Sequence, residues 1–226
     1  DMKSIVLLTS RSWNEYLAPR LSEELGCQVH LITKKEDLTL EKLSLLKPEW
    51  IFVPHWSFLI PREIYQNFKC VIFHMTDLPY GRGGSPLQNL IRRGHKETKL
   101  SALLCEQDVD AGPIYLKRSL SLEGTAQEIF ARASLVIKDM VVEIFKKNIT
   151  PLPQTGEPVF FTRLKPEDGS IAALESTSKV YDYIRMLDAD GYPKAFITLQ
   201  NFTLEFSEAS FKDGVIEAKV VIKEKI

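Results

Sequence analysis

Short apolar runs alternate with segments of helical spacing along the first 150 residues of the chain. Turn-forming or charged residues bound each run, and a short continuous apolar run of this kind is typical of a buried strand in a parallel sheet. The pattern therefore predicts strands at KSIVLLTS, CQVHLIT, EWIFVP, CVIFH, KLSALLCE and PIYLKRSLSL.

Segments between the predicted strands repeat apolar residues every three or four positions, as an amphipathic helix does. Helices predicted in this way cover residues 15–25, 38–46, 61–68 and the stretch after Pro86. Thr125 and Glu128 form a T-x-x-E capping box, which marks the start of a longer helix. The apolar face of that helix consists of Ile129, Ala133, Val136, Ile137, Met140 and Ile144. Alternating strands and helices predict an α/β fold with a Rossmann-like, mostly parallel sheet, flanking helices and right-handed crossovers.

The pattern changes near Thr150. PLPQTGEP is rich in proline and too poor in apolar residues to form an element, so it is interpreted as a connector. A further helix is predicted at 178–187, and alternating strands follow from Ala195, with a hairpin turn at Asp213-Gly214. We therefore expect a main domain over residues 1–150, and a linker, helix and small β subdomain over residues 151–226.

The net charge of the chain is -1, so no strong field is expected to attract nucleic acid or an anionic membrane. No apolar run approaches the length that crosses a bilayer and no secretory leader opens the sequence, so we expect a cytoplasmic protein. The cysteines lie in or beside apolar runs and suit buried thiols rather than a disulfide or a zinc site. The histidines show no metal-ligand spacing, and no metal is expected.

The segment from Val71 to Ile91 combines a buried strand, a glycine-rich turn and the start of a helix. It presents His74 at the carboxyl end of a strand, where open α/β sheets bind their ligands. A later apolar run ends in QDVDAGPIY and delivers Asp110. Each feature alone is more often structural, but a histidine and a carboxylate at two strand ends together indicate a pair that handles protons.

The same segment resembles a family signature, N-x-H-x-S-L-L-P-x-x-R-G-x-x-P, of the formyltransferases that use 10-formyltetrahydrofolate. The matching positions are His74, Thr76, Leu78, Pro79, Arg82, Gly83 and Pro86, and Asp110 with Gly112 matches the D-x-G turn of that family. PEWIFVPHWSFLIPREIY is similar to the segment that lines the family's folate pocket. RLKPEDGSI and YIRMLDADGYPKAF are similar to its linker and the start of its C-terminal region.

The resemblance implies an enzyme, a folate-dependent N-formyltransferase whose catalytic domain covers residues 1–150. It implies catalytic roles for His74 and Asp110, with 10-formyltetrahydrofolate as the formyl donor. The residues expected to bind the folate are Phe58, Ile60, Leu78, Cys105 and Val109. The residues expected to bind the acceptor are Arg11, Trp13, Asn14, Arg82 and Gly83. For Arg82 the alternative is that it pins the loop, and for the Arg11–Asn14 segment the alternative is a solvated loop.

One position departs from the family pattern. The asparagine expected two residues before His74 is replaced by Ile72, which cannot donate a hydrogen bond to a developing oxyanion. His55, Gln88 and Asn89 are the side chains that could substitute, and the sequence does not choose among them.

The acceptor is predicted from size and charge. A compact, nearly neutral chain with a small β tail favours a nucleotide-linked amino sugar, and the subgroup it most resembles acts on pseudaminic-acid-type routes. Transfer RNA would call for a larger basic domain, because phosphate contacts dominate its binding. The alternatives are a carrier-bound aminoacyl group in peptide assembly and a catalytically impaired folate- or nucleotide-binding module. The expected partner is a small molecule, without nucleic acid or membrane, and a homodimer is allowed.

Overall fold

The computed structural model describes residues 2–226. Its first elements are β1 (Ser4–Thr9), α1 (Leu17–Leu25), β2 (Gln28–Ile32), α2 (Leu40–Leu46), β3 (Trp50–His55), α3 (Arg62–Asn67) and β4 (Cys70–His74). They are followed by β5 (Tyr80–Gly83), α4 (Pro86–Arg92), β6 (Glu97–Leu104), β7 (Ile114–Ser121), α5 (Ala126–Lys146) and β8 (Val159–Phe161). The last elements are α6 (Thr177–Met186), β9 (Ala195–Thr198), β10 (Phe202–Lys212) and β11 (Val215–Glu224).

The central sheet has the strand order β2-β1-β3-β4-β6-β7. β1 pairs in parallel with β2 and β3, and β3 pairs in parallel with β4, whereas β4 and β6 are antiparallel. The predicted α/β fold with a mostly parallel sheet is therefore confirmed. Val53 of β3 lies beside Ile72 of β4, and each strand ends two residues later. His55 and His74 consequently lie at the same carboxyl edge of the sheet.

The core explains why the apolar runs form strands. All six residues of β1 are buried, as expected for a central strand covered on both faces. One cluster of buried side chains includes Val6, Leu8 and Val53, and the partly buried Ile72 packs against it. Burial of such side chains is the main contribution to the stability of the sheet.

The start of α5 confirms the predicted capping box. The N–H of Thr125 donates to Oε1 of Glu128 (3.1 Å), and the N–H of Glu128 donates to Oγ1 of Thr125 (3.2 Å). These bonds satisfy amides that have no partner inside the helix. Of the predicted apolar face, Val136 is half-buried and the other five residues are buried.

The last three strands form an antiparallel sheet in the order β11-β10-β9, with the predicted turn at Asp213-Gly214. The chain divides into two compact units that interleave in sequence. The first unit comprises the chain up to Gly83, with Lys99–Leu120 and Ala131–Phe160. The second unit comprises Gly84–Thr98, Ser121–Phe130 and Phe161–Ile226. The expected boundary at residue 150 stays a prediction.

The sequence pattern missed one short sheet, formed by β5 and β8. β5 is the segment YGRG inside the glycine-rich turn, and β8 follows the proline-rich connector. The N–H of Val159 donates to the carbonyl of Pro79 (3.1 Å), next to the cis peptide bond between Leu78 and Pro79. Neither segment has an apolar alternation, so pairing between distant segments decides their conformation.

No helix within residues 2–226 combines the length and apolarity that spanning a membrane requires. The same residues contain no group of three His, Cys, Asp or Glu side chains arranged to hold a metal ion.

Candidate active site

His74 ends β4 and lies beside Asp110, so the first unit brings the two predicted catalytic side chains together. Nε2 of His74 is 2.7 Å from the carbonyl oxygen of Gly81. A carbonyl oxygen can only accept, so Nε2 carries a proton and donates it to this bond. Nδ1 of His74 is 3.6 Å from Oδ1 of Asp110, and both side chains are about nine-tenths buried. The ring is therefore held with Nδ1 facing the carboxylate.

Hydrogen bonds fold the loop after β4 into a fixed shape around the imidazole. Oγ1 of Thr76 donates to the same Gly81 carbonyl (3.2 Å), and Oγ of Ser101 on β6 donates to the carbonyl of Thr76 (2.7 Å). Gly81 and Gly83 have φ angles of 78° and 107°, which favour glycine. The glycine-rich turn thus positions the Gly81 carbonyl on the histidine ring.

The D-x-G turn holds Asp110 against this loop. The N–H of Gly83 donates to Oδ2 of Asp110 (2.9 Å), which leaves Oδ1 toward His74. A Cβ at Gly112 would lie 1.9 Å from the carbonyl oxygen of Leu104, so only glycine fits there. The predicted D-x-G turn therefore needs its aspartate for the contacts with Gly83 and His74, and its glycine because a larger residue would clash with Leu104.

Gln154 completes the cluster and was missed by the sequence analysis. Its Nε2 donates to the carbonyls of Asp110 (2.8 Å) and Gly112 (2.9 Å). Its Oε1 accepts from Nε (3.1 Å) and Nη2 (2.9 Å) of Arg82. One amide thus joins the aspartate turn to the arginine of the glycine-rich loop. Its place in the proline-rich connector, remote in sequence from these partners, carries no pattern that would reveal this role.

Two residues predicted to bind folate present apolar surface to solvent. Phe58 is 45% exposed, with the Trp56 ring edge-on at 5.5 Å and Nζ of Lys35 at 5.2 Å from its centre. Val109, in the loop after β6, is 62% exposed. Exposed apolar side chains on two loops of one unit suit the flat face of a pterin ring. Their assignment to folate stays a prediction.

The other three residues predicted to bind folate are more enclosed. Ile60 is half-buried and packs against the core cluster that contains Cys105. Leu78 is only 2% exposed, and its N–H donates to Oγ of Ser101 (3.4 Å) while its carbonyl accepts from Nζ of Lys117 (2.6 Å). Direct contact between folate and the Leu78 side chain would require this packing to open.

Cys105 faces Cys70 across the antiparallel pair of β4 and β6. A hydrogen bond between the thiols, together with burial, raises the pKa of Cys70 well above its ordinary value, and the same bond lowers the pKa of Cys105. Cys27, Cys70 and Cys105 are all buried and free of disulfides, as predicted from their apolar surroundings.

The segment after β1 carries three of the residues predicted to bind the acceptor. The guanidinium of Arg11 lies over the ring of Trp13 at 5.5 Å, and that ring meets His55 edge-on at 6.5 Å. Asn14 is buried, and its Nδ2 donates to Oγ1 of Thr9 (3.3 Å), so it holds the loop in place. This arrangement places Arg11 and Trp13 near the sheet edge that also carries His74.

The remaining two residues predicted to bind the acceptor lie in the His74–Asp110 cluster. Arg82 is held by Gln154, and the N–H of Gly83 is held by Asp110. Arg82 therefore pins the loop through a glutamine side chain, close to the alternative considered from the sequence. An acceptor role for Arg82 and Gly83 stays a prediction.

Ile72 cannot donate a hydrogen bond to a developing oxyanion, and the structure narrows the list of side chains that could donate it instead. Nε2 of Gln88 donates to the carbonyl of Met186 (3.1 Å). Nδ2 of Asn89 donates to the carbonyls of Gly84 (3.1 Å), Ser85 (3.0 Å) and Thr162 (3.0 Å). Both amides donate to carbonyls of the second unit. His55, at the same sheet edge as His74, is therefore the remaining candidate for the oxyanion donor.

Comparison with known proteins agrees with this geometry. A family model described as formyl transferase matches residues 22–136, and one described as methionyl-tRNA formyltransferase, C-terminal domain, matches residues 166–223. The chain belongs to the formyl transferase family. The formyl donor of this family is 10-formyltetrahydrofolate, in agreement with the donor predicted from the sequence.

A similar solved structure is that of a methionyl-tRNA formyltransferase from Clostridium thermocellum. It is 50% identical, with a TM-score of 0.96, and the match covers 99% of this chain and 100% of that one. A curated relative, the methionyl-tRNA formyltransferase of Thermodesulfovibrio yellowstonii, is 29% identical over 199 residues. That match covers 84% of this chain but only 64% of the relative, so the chain spans less than two thirds of its length.

Sugar formyltransferases are more distant. The formyltransferase PseJ from Anoxybacillus kamchatkensis, solved with a UDP-linked formamido sugar and tetrahydrofolate, is 16% identical with a TM-score of 0.57. That match covers 70% of this chain and 85% of PseJ, and it shows the fold alone.

The predictions of a sugar-nucleotide acceptor, of a carrier-bound aminoacyl group and of no nucleic-acid partner are wrong. The relatives described above at 29% and 50% identity are methionyl-tRNA formyltransferases. The size argument failed because the Clostridium thermocellum protein, named a methionyl-tRNA formyltransferase, matches this chain over the full length of both. The charge argument failed because a net charge of -1 is a sum over the whole chain and hides local clusters of one sign.

Proposed function

We propose that this chain transfers the formyl group of 10-formyltetrahydrofolate to the α-amino group of methionine on Met-tRNA. The observation that carries the proposal is the 50% identity, over the full length of both chains, to the Clostridium thermocellum protein of that name. The joined His74–Asp110 pair supplies the proton chemistry that such a transfer needs. A cytoplasmic location follows from the same proposal, because aminoacyl-tRNA is made and used there.

The reaction forms a bond between the amine nitrogen and the formyl carbon, and breaks the bond from that carbon to N10 of the folate. The folate supplies an activated one-carbon carbonyl when it is bound. The ammonium form of the acceptor must lose one proton before attack, because only a neutral amine is a nucleophile. The attacking nitrogen loses a second proton as the amide forms, and N10 of the departing folate gains one proton as its bond to the formyl carbon breaks. The protein must therefore provide a proton acceptor and a donor for the developing oxyanion.

The geometry supports a role for the His74–Asp110 pair in the proton steps. Asp110 is held by the N–H of Gly83 and the side chain of Gln154, so its free oxygen is directed at Nδ1 of His74. The 3.6 Å separation allows an ion pair whenever the ring carries two protons. The pair can therefore accept the ammonium proton at Nδ1 of His74 or at Oδ1 of Asp110, while Nε2 stays bonded to the Gly81 carbonyl.

The experiment incubates the protein with 10-formyltetrahydrofolate and Met-tRNA. Nuclease digestion followed by mass spectrometry then reads whether methionyl-adenosine has gained a formyl group. Uncharged tRNA and N-acetylmethionyl-tRNA serve as controls, because neither offers a free α-amine. Formylation of Met-tRNA alone supports the proposal, and no gain in mass with a protein that binds the donor would contradict it.

A further inference from the structure

The second unit contains a cavity of about 500 Å³ whose wall carries three arginines, Arg92, Arg93 and Arg163. Arg92 and Arg93 stand at the end of α4, and Arg163 follows β8. Asn89, Thr162 and Asp168 also line this space. None of the three arginines has a role in the His74–Asp110 chemistry described above.

The wall of the cavity is built by short-range contacts between α4 and the segment that carries Arg163. The amide of Asn89 joins the turn before α4 to the carbonyl of Thr162, and the N–H of Leu164 donates to Oγ of Ser85 (3.0 Å). A Cβ at Gly84 would lie 2.7 Å from Cβ of Arg163. A glycine at position 84 is therefore required for Arg163 to approach this closely, and the arginine cluster is preformed.

The charge in this cavity is unbalanced. Within residues 2–226 no carboxylate lies within ion-pair distance of Arg92, Arg93 or Arg163. The one acidic residue in the wall, Asp168, uses Oδ2 to accept the N–H of Lys165 (2.7 Å). Guanidinium groups gathered without counter-charge repel one another, and a bound anion relieves that repulsion.

Aromatic rings orient two of the three guanidinium groups. Arg93 lies over the ring of Phe161 at 4.6 Å, and Arg92 lies near the ring of Tyr183 at 5.9 Å. Stacking of this kind holds the planar group while leaving its N–H donors available. The donors of a guanidinium match the oxygens of a phosphate group in pairs.

We propose that this arginine cavity binds backbone phosphates of RNA, and that it does so for the acceptor tRNA of the proposed function. RNA is favoured over free phosphate because the cavity is open and far larger than a single phosphate ion needs. Phosphate contacts position a nucleic acid on its protein and contribute most of the affinity. The inference therefore rests on the proposed function but concerns affinity for RNA rather than formyl transfer.

The experiment measures binding of fluorescent uncharged tRNA by anisotropy at several salt concentrations. The test variant is R92Q/R93Q/R163Q. The control variant, K212Q/K219Q/K225Q, removes the same charge from exposed positions on and beside the β10–β11 hairpin. R92K/R93K/R163K keeps the charge, and the melting temperature of each variant verifies folding.

The test variant is expected to bind tRNA at least about tenfold more weakly, with a salt dependence shallower by about 1–2 in slope. The control variant should change affinity less than about twofold, and the lysine variant should recover part of the loss. Equal losses in test and control would overturn the inference. Wild-type binding of inorganic phosphate without binding of tRNA would also overturn it.

The design separates this inference from the proposed function. Uncharged tRNA undergoes no chemistry, so its binding does not depend on formyl transfer. If wild-type protein formylates Met-tRNA and R92Q/R93Q/R163Q binds tRNA as tightly as wild type, the inference fails and the function stands. If no formylation occurs but the test variant alone loses tRNA affinity, the function fails and the RNA site stands.

Discussion

The His74–Asp110 cluster of the first unit and the arginine cavity of the second unit use polar side chains in opposite ways. In the first, His74, Asp110, Arg82 and Gln154 are all bonded to other groups of the protein. In the second, three guanidinium groups line a cavity whose one acidic wall residue, Asp168, accepts from the N–H of Lys165. Internal hydrogen bonds thus fix the geometry of the first cluster, whereas the unbalanced positive charge of the second favours binding of an anionic ligand.

Removing either member of the His74–Asp110 pair should have the largest effect. His74→Ala and Asp110→Ala are expected to lower kcat/KM for Met-tRNA formylation by about 10²–10⁴-fold, because a positioned proton acceptor is lost. Affinity for uncharged tRNA should stay at the wild-type value. Asp110→Asn is the matched control for shape, since it keeps an oxygen for the Gly83 N–H but removes the charge. Wild-type kinetics in the two alanine variants would remove this site assignment.

Gln154 tests whether internal bonds are what hold the cluster. Gln154→Ala should lower kcat by up to about 10²-fold, the cost of misplacing reacting groups by an ångström. Gln154→Glu keeps the acceptor for Arg82 but loses both donors to the carbonyls of Asp110 and Gly112, so it separates the two functions of the amide. Steady-state kinetics should show the loss in kcat rather than in KM for Met-tRNA. A pure KM effect would make Gln154 an acceptor contact instead.

Ile72 tests the apolar packing of the core beneath the His74–Asp110 cluster. Ile72→Asn is expected to destabilise the protein by about 1–3 kcal/mol, because the partly buried amide has no partner among core side chains such as Val6, Leu8 and Val53. It should not raise activity. Thermal melting with Ile72→Val as the apolar control measures the cost. An unchanged midpoint would show that the amide finds a partner.

Gly84 tests the wall of the arginine cavity. Gly84→Ala places a Cβ against Arg163, and the overpacking should cost about 1–3 kcal/mol while weakening tRNA binding a few-fold. If that contact is the cause, combining it with R163G should give less than the sum of the two single effects on stability. If denaturation shows that the two stability effects simply add, the contact between residue 84 and Arg163 is not the source of the strain.

Much of the fold could be predicted because its information is local. A buried strand, a capping box and a hairpin turn each depend on residues close in sequence, as β1 and the Thr125–Glu128 pair show. The approach of Asp110 to His74 was predicted as well, because both residues match known family positions. The prediction that Asp110 lies at a strand end was wrong, since β6 ends at Leu104 beside the start of antiparallel β4, and the loop after β6 carries Asp110 back to His74. The structure added the bonds from Gly81 and Gly83 that set their orientation.

What could not be predicted depends on segments remote in sequence. Gln154 lies in a connector whose composition suggests only a linker, and its contacts form when the chain folds back on Asp110. β5 and β8 lack apolar alternation, so only their mutual pairing makes them strands. The arginine cavity was hidden for a similar reason, because Arg163 joins Arg92 and Arg93 only in the folded chain while the net charge stays near zero.

The most direct test of the account follows a labelled formyl group in a single turnover. Protein in excess over Met-tRNA is mixed with 10-formyltetrahydrofolate labelled in the formyl carbon, and the label on methionine is measured over time. The wild-type protein is expected to transfer the label rapidly to the methionyl α-amine, and the Asp110→Ala variant is expected to do so at a rate lower by orders of magnitude. Label that stays on the folate with wild-type protein, although Met-tRNA is bound, would contradict it.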